Sequence, residues 1–117
     1  MKIAVASTGA GLDSRVSERF GRARWFVIVD PDTGETTALE GTGHQAERGA
    51  GVGTAQMLAD QGAEAVIGVM FGPNAATTLN AAGVRMYEAQ GLTVRQALSA
   101  YSNGSLPLAQ ASPGGRR

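Results

Sequence analysis

The 117-residue chain contains no cysteine. That excludes a disulfide framework, a thiolate zinc site, a cysteine nucleophile and thiolate-held iron–sulfur clusters. Histidine occurs once, as His44, and one histidine does not make a conventional zinc site. Net charge is also missing: ten cations balance ten anions, so nothing in the overall balance draws the chain to nucleic acid or to an anionic membrane. No apolar run approaches the ~20 residues of a membrane span, and the apolar stretch in residues 1–7, MKIAVAS, is too short for a signal peptide. A cytoplasmic location is the default expectation. Lysine is nearly absent, since Lys2 is the single lysine among the ten cations. Arginine suits bidentate anion contacts, although high-GC coding produces the same bias. What the chain does have is glycine, 17 residues gathered largely in a few loops, and enough apolar residues for one domain with one core.

Ile3–Ser7 reads as a buried strand, followed by a long loop over residues 8–24. Trp25–Asp30 and Thr36–Glu40 read as a hairpin around the turn signal DPDTGE. A second glycine-rich loop, GTGHQAERGAG, covers 41–51. Val52, Ala55, Leu58 and Ala59 have helical spacing up to Gly62. Ala65–Val69 is apolar on both faces, as a central parallel strand should be. Pro73 and Gly83 bracket a second helix, and Val84–Tyr87 is a fifth strand. Thr93 and Gln96 form a capping box for a last helix through Tyr101, ended by Asn103-Gly104. The order is βββαβαβα, an α/β domain over residues 1–104 with helices on both faces of a mixed sheet. Residues 105–117, with two prolines, two glycines and two terminal arginines, read as a flexible tail.

If strand 2 lies antiparallel beside strand 1, strand 3 runs with strand 1, and each crossover returns strands 4 and 5 in the same sense. The loops 8–24, 41–51, 70–74 and 88–92 then share one edge. Ligands of open α/β sheets bind there, at a topological switch point, and helix N-termini favour anions. Arg15, Arg19, Arg22 and Arg24 stand in or beside the first loop against Asp13 and Glu18, four charges against two. An anionic ligand is the expected target.

The single motifs carry less. FGPNAA, residues 71–76, reads either as an anion cradle or as an ordinary glycine–proline helix start. The second loop lacks the Lys-Ser/Thr of a Walker sequence and the spacing of a dinucleotide fingerprint. His44 reads as a surface residue or as a single metal ligand completed by oxygen or backbone groups. Met70 offers a soft thioether, with packing the favoured reading. Asp13 and Glu18 read as an acid/base pair, or as solvated carboxylates paired with Arg15 and Arg22. The inner strands carry no carboxylate for two-metal nuclease chemistry, and Ser7 and Thr8 have no evident His–Asp set. Enzymatic activity is not expected.

The stretches DSRVSERFGRARWFVIVD, RGAGVGTAQMLADQGAEAVIGVMFGPNAATTLNAAGVRMYEA and TVRQALSAYSNGSL resemble the dinitrogenase iron–molybdenum cofactor biosynthesis family, NifX-like proteins related to the C-terminal domain of NifB-type proteins. The resemblance runs from Lys2 to about Leu106. It implies a ribonuclease H-like three-layer fold with sheet order 3-2-1-4-5. It also implies a small non-enzymatic carrier or scaffold for an anionic metal–sulfur cluster or precursor, held non-covalently, with cofactor-biosynthesis proteins as partners. Where many members carry histidine, this chain has Arg19 before Phe20-Gly21 and Arg48 before Gly49. The resemblance therefore points to charge-assisted hydrogen bonds and backbone donors in place of a coordinating pair. The residues expected at the site are Arg19, Phe20, Gly21, Arg22, Arg48, Gly49, Phe71, Gly72 and Asn74, with His44 as metal ligand. The rival expectation, from a different class, is a regulatory or interaction module that binds a nucleotide or other phosphate ligand at the same edge.

Overall fold

A computed structural model describes residues 2–41 and 50–109. Three strands come first: β1 (Lys2–Ser7), β2 (Trp25–Val29) and β3 (Thr36–Glu40). Then follow α1 (Ala50–Asp60), β4 (Ala63–Gly68), α2 (Pro73–Ala81), β5 (Arg85–Glu88) and α3 (Val94–Ser102). The sheet order is β3-β2-β1-β4-β5. β2 is antiparallel to β1 and to β3, whereas β4 runs parallel to β1 and β5 parallel to β4. This is the five-stranded mixed order that the resemblance implied, with strand 2 as the reversed strand. The hairpin turn works as its residues suggest. Asp30 Oδ1 accepts the Asp32 N–H at 3.0 Å, and Gly34 takes the left-handed conformation (φ 79°) that glycine adopts freely.

β1 sits at the centre and is buried along both faces. Strand side chains alternate, so Ala4 and Ala6 point to one side and Ile3 and Val5 to the other. The first pair packs with Phe20, Phe26, Leu58, Phe71 and Leu79, beneath α1 and α2. The second packs with Val16, Ile67, Val94 and Ala97, beneath α3. Two helices on one face and one on the other make the three layers.

Element ends shift from the sequence expectations by one or two residues. α1 starts at Ala50 instead of Val52, and β4 starts at Ala63 instead of Ala65, because Gly62 (φ 87°) ends the helix and the strand begins at once. The larger difference is at residues 105–109, whose composition suggested a free tail. Their backbone lies antiparallel along β5. Glu88 N–H donates to Pro107 C=O at 3.0 Å, and Ala109 N–H to Met86 C=O at 2.9 Å. Composition predicts no order there because the contacts that hold this segment come from β5, far away in sequence.

α3 packs its Tyr101 ring edge-on to Tyr87 of β5, with centroids 5.1 Å apart. Burial, and after it the Glu64 carboxylate, pushes the Tyr101 hydroxyl above the ordinary phenol range. A raised folded-state pKa on an acid stabilises the fold below the unfolded pKa of about 10, and that contribution is lost as pH rises through the folded value. Thermal melts above pH ~10 should therefore show wild type losing stability more steeply than Tyr101→Phe, which keeps the ring contact. Parallel alkaline profiles would contradict this.

Candidate functional site

Small residues on the central strands leave a bay under the expected edge. A methyl group added at Gly68 would stand 3.4 Å from the rings of both Phe20 and Phe71 and 3.5 Å from Ala6 Cβ. Phe20 fills the bay, stacked on Phe71 at 4.7 Å and edge-on to Phe26 at 5.7 Å. Its N–H donates to Val69 C=O at 2.9 Å. A short 3-10 turn, Phe20–Arg22, is thereby fixed against the segment that leaves β4. Phe20 and Phe71 are 0% and 1% exposed, so they anchor the two loops and do not meet a ligand. This corrects their expected role as direct contacts. Aromatic residues inside a glycine-rich motif read equally as binders or as core, and burial decides between the two.

The first half of loop 8–24 is tied to the other side of the sheet. Ser17 N–H donates to Ala6 C=O at 2.8 Å, and Val16 N–H to Leu92 C=O at 2.9 Å. The first N–H groups of α3 are used in the same way: Val94 donates to Ser14 C=O and Arg95 to Leu12 C=O, both at 2.8 Å. Thr93 Oγ1 accepts from Gln96 N–H, completing the capping box. The start of α3 is thus satisfied by protein and offers no anion site, contrary to the general expectation that helix N-termini at this edge favour anions. Asp13 pairs with Arg95 at 3.0 Å, not with Arg15. The switch point at the ends of β1 and β4 is also occupied. Ser17 is bonded to the end of β1 and Phe20 to the residue after β4, so the loop itself bridges that gap.

The open polar surface therefore lies toward the α1 and α2 side. Arg19 and Arg22 are exposed there, with Gly21 half-buried between them. The segment that Phe20 anchors leads into α2, whose N-cap residue Gly72 gives no side-chain cap. Pro73 has no N–H, and the first helical bond is Ala76 N–H to Gly72 C=O at 2.9 Å. Asn74 and Ala75 thus present backbone donors at a helix start. The 3-10 turn packs on α1, and α1 packs on α2. Of the expected residues, Phe20 and Phe71 are in direct contact, which sets the Arg19–Arg22 segment against the stretch that leads into Gly72 and Asn74. Arg48, Gly49 and His44 lie outside the described residues. Among the described residues no group of three or more His, Asp or Glu is placed to hold a metal ion.

Two residues at this edge, Trp25 and Gly41, were not expected at the site from the sequence, and a third, Met70, is placed differently from its favoured reading. Trp25 begins β2 one position after Arg24 and is half-buried. Met70 was expected to pack, yet it is 56% exposed. Gly41 is buried where the second loop departs. Its N–H donates to Arg24 C=O at 2.7 Å, and a Cβ there would overlap the Ala23 carbonyl oxygen and stand 3.0 Å from the Phe26 ring. Gly41→Ala should cost about 2–3 kcal/mol, since backbone has to move. Denaturant unfolding measures it, and a cost under ~0.5 kcal/mol would show that the loops separate freely.

Comparisons with known proteins agree with the fold. A sequence profile described as dinitrogenase iron-molybdenum cofactor matches residues 1–104. The chain is similar to the apo form of the orange protein from Desulfovibrio gigas, at 39% identity over 94% of this chain and 93% of that one, with a TM-score of 0.89. A protein proposed to be NifB from Thermotoga is 40% identical over 92% of this chain and 91% of its own, with a TM-score of 0.83. An uncharacterized protein of Methanocaldococcus jannaschii is 28% identical over 97 residues, 80% of this chain and 82% of that protein. With the profile spanning every strand and helix, and the strand order as the resemblance implied, the chain belongs to the dinitrogenase iron–molybdenum cofactor family.

Proposed function

We propose that the protein is a small, non-enzymatic cytoplasmic carrier or scaffold for an anionic metal–sulfur cluster, or a precursor of one, of the iron–molybdenum cofactor type. The observation that supports this reading is the anchoring of the Phe20–Arg22 turn, with exposed Arg19 and Arg22 at its ends, on Val69 and Phe71, the segment that leads into the uncapped start of α2. Guanidinium and backbone N–H groups donate charge-assisted hydrogen bonds to an anion without forming a covalent link. A chain free of cysteine would hold its cargo reversibly, as a carrier must. Arg48 and Gly49 would extend the donor set, and His44 is the one histidine able to ligate a metal of the cargo. Cofactor-biosynthesis proteins are the expected donors and acceptors.

The test is anaerobic incubation with ferrous iron, sulfide and molybdate, then desalting. Retained metal, visible charge-transfer absorbance and quenched Trp25 emission are expected. Protein that emerges colourless and metal-free overturns the reading. A thermal-shift screen covers the rival class. Stabilisation by ATP or ADP, worth ~2.7 kcal/mol at a hundredfold excess over Kd, with none from the metal–sulfide mixture, would mark a phosphate-binding module instead.

A further inference from the structure

Met70, the residue before the buried Phe71, has a φ of 54° and is the sole non-glycine with positive φ among the described residues. A side chain in that conformation is strained, and such strain persists where its surroundings dictate it. The neighbours supply the cause. Val69 is buried on the α3 side, with its C=O taken by Phe20 N–H, and Phe71 is buried on the opposite side. The chain must cross between faces at the residue between them. Glycine would make that crossing without strain. The methionine gains little packing in return, because 56% of it is exposed. It stands beside the Arg19–Arg22 segment and two residues before the uncapped start of α2.

Resting on the carrier reading above, we propose that Met70 is a specificity-determining contact of this site. Its thioether lies against the sulfide face of the cargo and makes the site prefer a sulfur-ligated metal anion to an oxyanion of the same charge and shape. Arginine and amide donors attract both kinds of anion. An oxyanion is strongly hydrated, and an apolar thioether strips its water while offering no hydrogen bond. A sulfide-coated anion is soft and weakly hydrated, and it gains contact with a polarizable sulfur. No bond is made or broken.

Binding of molybdate and of tetrathiomolybdate, both tetrahedral dianions, tests this in wild type, Met70→Gln and Met70→Gly. Wild type should favour the thio-anion. Both variants should lose roughly tenfold of that preference. Met70→Gly also relieves the left-handed backbone, which guards against a folding failure. Arg19→Gln should weaken both anions together and leave their ratio unchanged. In protein labelled at its methionine methyl groups, tetrathiomolybdate should shift the Met70 resonance and leave that of core Met86 in place. A ratio unchanged within about twofold in both variants, or an unmoved Met70 methyl, overturns the inference; Arg19-dependent binding would then leave the carrier reading standing. Wild type that binds neither anion overturns both.

Discussion

A Phe20→Ala variant is expected to lose about 3–5 kcal/mol of stability, the usual cost of emptying a buried phenylalanine site. In a chain of this size that lowers the melting temperature by roughly 10–20 °C. The effect is large because Phe20 does several jobs at one point. It fills the bay over Ala6 and Gly68, stacks on Phe71, and meets Phe26 edge-on. Its buried ring also fixes the position of the backbone N–H, which alanine retains, that ties loop 8–24 to Val69. Total stability of a small domain is about 5–15 kcal/mol, so the variant could fail to fold at growth temperature. Phe20→Leu is the companion measurement. It keeps most of the apolar volume and should cost less than half as much. Should Phe20→Ala unfold at the wild-type midpoint, the aromatic anchor described above does not hold the edge together.

The second large effect concerns binding. Replacing Arg19 or Arg22 by glutamine should weaken retention of an anionic metal–sulfur cargo by about 10- to 100-fold each, since a hydrogen bond to a charged group contributes about 1.5–3 kcal/mol. Arg19 is exposed, so its substitution should leave the melting temperature in place. Arg22 is itself engaged within the chain, so its melt is recorded beside its binding. Lysine at position 19 keeps the charge and loses the planar fork. It should recover only part of the affinity if the contact is bidentate. Arg85 begins β5, at the opposite end of the sheet, and Arg85→Gln is the control that should bind as wild type does. Losses that are equal at positions 19, 22 and 85 would mean that bulk charge alone attracts the cargo.

Features set by neighbours in the sequence were legible without coordinates. The Thr93–Gln96 capping box, Pro73 in the first turn of α2, and the Asp30–Gly34 turn all stand as read. Each depends on side chains reaching backbone a few positions away, which residue type and spacing specify. The strand order came from the family resemblance, while chain direction and crossover rules gave the sense of each strand once strand 2 was set antiparallel beside strand 1. What could not be read was which groups at the edge had already found partners. Helix N-termini favour anions in general, yet at the start of α3 the carbonyls of Ser14 and Leu12 take the donors. Phe20 and Phe71 were placed at the ligand, yet each other's rings bury them.

The sequence by itself thus determined the element types, the shared edge of the loops and the surplus of arginine on one of them. These depend on periodicity, turn chemistry and charge, all of which act locally. The tertiary structure alone decided that loop 8–24 would close the gap between β1 and β4, that Phe20 would anchor the Arg19–Arg22 segment on Val69 and Phe71, and that Met70 would be exposed. Each of those outcomes depends on packing between residues tens of positions apart, where shape and buried hydrogen bonds choose among arrangements that the sequence pattern leaves equivalent.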